Sequence, residues 1–222
     1  MPIICLEGAS AVGKTTTSEG IAKITNAYIV PEVNLLFERP NDETKTWYLE
    51  RQVERWQIVQ NKLKKYDTVI LDGDIFQPLA YNWCFNFEIF NQSLEFIYEF
   101  YLSEIMAGRI GFPDKYFYLS TSQANLRQRK EHDLTRKRRN FEEHLEIIVP
   151  HRRYYGALNE RIPNYVKFMN TKSLRENIQM IINHLPSSST NMNSKMLLNN
   201  IKSWLTNNQA SHFIYRGADN ES

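Results

Sequence analysis

Eight residues, Gly8-Ala9-Ser10-Ala11-Val12-Gly13-Lys14-Thr15, constrain this chain more than any other stretch. They fit the pattern G-x-x-x-x-G-K-[ST]. Before them stands the apolar run Ile3-Ile4-Cys5-Leu6, which reads as a buried strand. After them, Ser18 to Ile24 reads as helix, with Ile21, Ala22 and Ile24 apolar. Strand, glycine loop, helix is the context in which the pattern cradles phosphate. Successive backbone N–H groups at a helix start give donors and a positive dipole end to a polyphosphate. Gly8 and Gly13 let the backbone turn and approach closely. Lys14 offers a cation to the β- and γ-phosphates, and the Thr15 hydroxyl a ligand for Mg²⁺. With Thr16, the stretch forms the expected nucleotide-binding segment, and ATP and Mg²⁺ are the expected cofactors.

Further apolar runs alternate with helical stretches. Strands are expected at 27–30, 68–71, 115–119 and 165–169. Helices are expected at 44–65, 77–107 with a break near 87–91, 122–131, 141–159 and 173–185. In the helix over 44–65, Leu49, Val53, Trp56 and Leu63 form a core stripe, while Arg51, Arg55, Ile58 and Lys62 fall on another face. This alternation predicts an α/β fold, a parallel sheet of about five strands with helices on both faces. Ligands are expected along the edge formed by the carboxyl ends of the strands.

Residues 1–185 read as one phosphate-loop domain. Residues 186–222 open on Pro186-Ser187-Ser188-Ser189-Thr190-Asn191, a linker composition, and then offer an amphipathic helix from Ser194 to Leu205. That helix is either docked on the core or part of a mobile or partner-binding tail.

Composition excludes several classes. With 222 residues and a formal net charge of +2, no global field argues for specific nucleic-acid binding. No window approaches membrane-spanning length, and no basic leader precedes the first strand, so no membrane or secretory role is expected. Cys5 and Cys84 lie far apart in apolar surroundings and read as reduced thiols of a cytoplasmic protein.

Two more constellations bear on chemistry. Asp72 ends an apolar strand, where a carboxylate can reach Mg²⁺ or accept a proton, and Asp74 is its near competitor. The basic stretch Arg127, Arg129, Lys130, Arg136, Lys137, Arg138, Arg139 reads as a lid over about 127–139 that closes on phosphates and excludes water. Arg127, Arg129 and Arg136 are its inward-facing candidates.

On these residues the chain resembles the small P-loop kinases of the thymidylate kinase and deoxynucleoside kinase families, over roughly residues 1–170. Ile4-Cys5-Leu6-Glu7-Gly8 looks like their shared start. Leu79-Ala80-Tyr81 follows the third strand at the thymidylate kinase spacing, and Arg51 matches that family's arginine on the preceding helix. The resemblance implies that Asp72 acts at the phosphates and that Arg51 faces the acceptor. It implies that Phe37, Tyr81 or Trp83 walls the acceptor pocket. Deoxynucleoside kinases carry Glu-Pro-Val after the second strand, with the glutamate as base. Here the order is Pro31-Glu32-Val33, and Glu32 takes that part by resemblance. Both families follow the acidic residue of the third strand with arginine; this chain has Gly73.

The expectation is transfer of the γ-phosphoryl group of ATP to a nucleoside monophosphate or nucleoside, with Lys14, Asp72, Glu32, Arg127 and Arg136 as the catalytic set. Glu32 and Asp72 remain alternatives for positioning the attacking oxygen. A non-nucleotide hydroxyl metabolite or antibiotic as acceptor, or a nucleotide-dependent switch, are the rival readings. A homodimer stays open.

Overall fold

The computed structural model describes residues 1–133, 141–190 and 192–210. Five strands form: β1 (Ile3–Gly8), β2 (Ala27–Val30), β3 (Thr68–Asp72), β4 (Lys115–Ser120) and β5 (Val166–Asn170). They make one all-parallel sheet in the order β2-β3-β1-β4-β5. β1 is central and every residue of it is buried, as expected of a strand covered on both faces.

Side chains alternate between two cores, following the period of a strand. Cys5, Leu71, Tyr116 and Tyr118 face one layer. It is formed by α3 (Trp47–Lys62), α4 (Gln77–Cys84), α5 (Leu94–Met106), α8 (Ile148–Arg161) and α10 (Ser194–Asn207). Ile4, Leu6, Phe117 and Leu119 face the other. There they meet α1 (Lys14–Ala22), α6 (Gln123–His132), α7 (Phe141–Glu146) and α9 (Leu174–Ile182).

The helix boundaries have local causes. Ser93, Ser122 and Ser173 each accept an N–H three residues on, starting α5, α6 and α9. The expected break in 77–107 falls after α4, where Asn86 and Phe87 take positive φ of 53° and 61°. The helix expected over 141–159 is divided at Ile147. Pro150 explains this: it lacks an N–H, and its ring opposes the carbonyl four residues earlier, at Glu146, the last residue of α7. A short α2 (Val33–Leu36) has no counterpart in the sequence reading.

α10 packs into the first core. Leu197, Leu198, Ile201 and Leu205 are buried, and each such side chain contributes about 1.5–3 kcal/mol relative to exposure. Trp83 Nε1 donates to the Asn208 carbonyl at 2.8 Å. Arg153 donates to the Gln209 carbonyl and the Asn208 side chain. The stretch before α10 is tied as well, since Asp114 Oδ1 accepts from Ser189 Oγ and from the Thr190 N–H and hydroxyl. α10 thus covers part of the first core. Among the described residues no helix is long and apolar enough to cross a membrane.

Candidate active site

The turn after β1 is forced by its neighbour. Gly8 has φ 138°, and a Cβ there would lie 2.2 Å from the Leu119 carbonyl oxygen of β4. Only glycine lets the two strands run side by side into the loop. Gly13, at φ 102°, turns the chain into α1. From the start of α1, Lys14 Nζ folds back to donate to the Gly8 carbonyl at 2.9 Å and stands 3.9 Å from Glu32 Oε1. Thr15 Oγ1 donates to Asp72 Oδ2 at 2.7 Å.

Glu7 joins this loop to the end of β3. It is buried. Its Oε1 accepts from the Gly8 N–H at 2.8 Å and its Oε2 from the Asp74 N–H at 2.8 Å. Burial pushes its pKa up, against the pull of Lys14 and these two N–H groups. Burial also raises the Asp72 carboxyl, with Lys14 opposing. Asp74 is pushed up to about 6 by burial and by Glu7. It accepts from Phe76 N–H, Tyr116 and Tyr155, so its carboxylate is held by the core while the residue also lines the cavity over the strand ends.

A cavity of ≈ 700 Å³ opens over the carboxyl ends of the strands. Residues 8–16, the whole expected nucleotide segment, line it. On one side stand Arg129, Lys172 and Asn177, from the β4 and β5 half of the sheet. On the other stand Glu32, Tyr48, Arg55, Gln77 and Tyr81, from the β2 and β3 half. Tyr118, His144 and His151 complete the wall. That wall is built of neutral pairs: Tyr48 donates to Gln77 Oε1 at 2.9 Å, Tyr81 meets His144 Nε2 at 2.9 Å, and Tyr118 meets His151 Nδ1 at 3.1 Å. Burial, then Lys14, drives His151 down to about 3, and the same causes lower His144.

The sequence-derived residues divide. Lys14, Thr15, Asp72 and Glu32 come together, and Tyr81 stands on the wall. Arg51 and Phe37 do not line the cavity. Arg51 pairs with Glu54 at 2.6 Å and lies over the Phe37 ring, 5.3 Å from its centroid. Trp83 is buried in the core, on Asn208. Arg127 faces outward to Glu142 at 2.7 Å. Arg129, two residues on, reaches the loop itself and donates to the Val12 carbonyl at 2.7 Å. Arg136 and the lid stretch beyond Asp133 lie outside the described residues.

The reading of the sequence missed Arg55, His144, His151, Tyr48 and Gln77. Arg55 shares its helix face with Arg51, and only its distance along α3 distinguishes the two. The histidines follow the basic stretch and carry no spacing signal.

The residues present fit Mg²⁺. Asp72 Oδ1 is buried without a hydrogen-bond partner, beside the Thr15 hydroxyl. Among the described residues no group of three or more His, Cys, Asp or Glu forms a self-sufficient metal site. One carboxylate and a hydroxyl suit an ion that takes its remaining ligands from phosphates and water.

No protein-family model matches the chain, and no curated protein matches its sequence. Solved structures do match. A thymidylate kinase from Candida albicans aligns with a TM-score of 0.54 at 14% identity, covering 85% of this chain and 96% of that one. A deoxyadenosine kinase from M. mycoides with bound dATP aligns with a TM-score of 0.51 at 17% identity, covering 82% and 97%. At these identities the likeness is one of fold. The chain is similar in architecture to both: an all-parallel α/β sheet with a glycine loop after its central strand and a cavity over its strand ends.

Proposed function

We propose that this protein transfers the γ-phosphoryl group of ATP to a nucleoside or nucleoside monophosphate. The observation that carries the reading is the shape of the cavity. One continuous space runs from the phosphate loop, past Lys14, to Glu32, Tyr48, Gln77 and Tyr81. A phosphate-binding loop alone needs no such second half; a donor and an acceptor held end to end do.

Loop N–H groups and Lys14 hold the donor phosphates. Arg129, anchored on the Val12 carbonyl, adds positive charge beside them. Thr15 and Asp72 would hold Mg²⁺, which supplies charge neutralisation to the β- and γ-phosphate oxygens. Glu32, beside Lys14 and partly exposed, suits the acceptor hydroxyl and can take its proton. An acceptor phosphate needs no base, because its oxygen is already ionised. In this reading the basic stretch acts at the phosphates through Arg129, while Arg127 is turned to Glu142 and Arg136 lies outside the described residues.

A second reading, a hydroxylated non-nucleotide acceptor, draws on the neutral Tyr–Gln and Tyr–His wall. ADP release from Mg-ATP, measured against deoxynucleosides, nucleoside monophosphates and hydroxylated antibiotics, separates the readings. Stimulation by a nucleoside or its monophosphate supports the first. Stimulation by an antibiotic alone transfers the case to the second. ATP turnover indifferent to every acceptor defeats both.

A further inference from the structure

Arg55 is the largest charged side chain in the interior, at 1% exposure. Its ligands are oxygens of the backbone and of one amide. Nη2 donates to the carbonyls of Asp72 and Gly73, each at 2.9 Å, with the Val30 carbonyl at 3.5 Å. Nη1 donates to Gln52 Oε1 at 2.7 Å. Val30 ends β2 and Asp72 ends β3. One guanidinium therefore spans the ends of two neighbouring strands, two residues before Glu32 and at Asp72 itself.

A buried cation is costly unless its donors are satisfied. Backbone carbonyls and the Gln52 amide satisfy the Nη donors without cancelling the charge, as a carboxylate partner would, while Nε is buried with no partner among the described residues. The planar fork matters too, because a lysine ammonium is a single point and cannot hold oxygens on two sides with fixed geometry.

Gly73 has φ 82°, a conformation that side-chain-bearing residues seldom adopt. A Cβ there would be in ordinary van der Waals contact with Glu32 Cγ at 3.5 Å, so the turn at Gly73 lies directly beside Glu32.

We propose that Arg55 is a positioning residue. From α3 it fixes the strand ends that carry Glu32 and Asp72 against the phosphate loop. This rests on the kinase reading for its purpose, and on the hydrogen bonds alone for its geometry.

The test is nucleotide binding, with and without Mg²⁺, by Arg55→Met and Arg55→Lys, using a fluorescent ATP analogue, with melting temperature recorded in parallel. Displacing Asp72 should weaken the Mg²⁺-dependent part of binding by roughly tenfold in Arg55→Met, the scale of lost support to a metal ligand. Binding without Mg²⁺ should stay near wild type. Arg55→Lys should fall between the two. Equal weakening with and without Mg²⁺, or wild-type Mg²⁺ dependence in a folded Arg55→Met protein, would overturn the proposal. Should Arg55→Met not fold, Gln52→Leu removes the Nη1 ligand and leaves the arginine. It should shift Mg²⁺ dependence in the same direction, and an unchanged titration there overturns the proposal equally. Wild-type protein that binds Mg-nucleotide but phosphorylates no acceptor would defeat the kinase reading and leave Arg55 to be judged on binding.

Discussion

The Thr15 hydroxyl donates to the Asp72 carboxylate across 2.7 Å, joining residues 57 positions apart. The other oxygen of Asp72, Oδ1, is buried without a partner. Asp72→Asn keeps the shape and removes the charge. Phosphoryl transfer should fall by about 100-fold, and added Mg²⁺ should no longer tighten nucleotide binding. Titration calorimetry with and without Mg²⁺ checks this; unchanged Mg²⁺ dependence would remove Asp72 from the metal site.

Lys14 stands between the Gly8 carbonyl and Glu32, at the mouth of the loop. Lys14→Ala should lower transfer by more than about 100-fold, the scale of losing a charge aimed at the reacting group. The circular dichroism spectrum should be unchanged. Full activity in a folded Lys14→Ala protein would end the central reading.

Glu32 separates the acceptor classes. With a hydroxyl acceptor, Glu32→Gln should reduce kcat by about 10²- to 10⁴-fold through loss of the base. With a monophosphate acceptor kcat should change little. Steady-state kinetics on both acceptor types decides, and equal effects on the two would show that Glu32 binds rather than takes a proton.

His151 gives a pH dependence with a definite sign. Its folded pKa of about 3 lies below the unfolded value, so the unfolded chain binds more protons between about 3 and 6.5. Stability from this residue is therefore present above pH 6.5 and lost as pH falls, by about 2 kcal/mol at pH 5. Denaturant unfolding of wild type and His151→Asn at pH 7 and pH 5 should show a smaller acid loss in the variant. Asp74, raised to about 6, works in the opposite sense and is common to both proteins.

α10 is expected to belong to the folding unit. Leu198 is fully buried in the first core, and Leu198→Ala should cost about 2–5 kcal/mol. Ending the chain after Leu185 should give an insoluble or unfolded product. A soluble truncation that binds nucleotide normally would show that the helix is an appendage.

The strands and the phosphate loop were legible because their signals are local. Five apolar runs match five strands, and the glycines mark turns that only glycine can make, as the Leu119 carbonyl beside Gly8 shows. The acceptor side was less legible because it depends on packing. Arg51 and Arg55 lie on one face of α3, one turn apart. Which of them is buried is decided by carbonyls of β2 and β3 that no helix pattern reveals. In the same way, Arg127 and Arg129 belong to one basic run, yet only Arg129 meets the Val12 carbonyl. Pro150 was a visible breaker, and its position should have divided the helix over 141–159.

Glu7 holds the Gly8 and Asp74 N–H groups with its two oxygens. Together with the β1–β3 ladder, which runs to Leu6 and Asp72 and adds a bond from the Gly73 N–H to the Leu6 carbonyl, this one buried side chain fastens the glycine-loop turn to the end of β3. A change in the outer loops therefore leaves the separation of these two strand ends as it is.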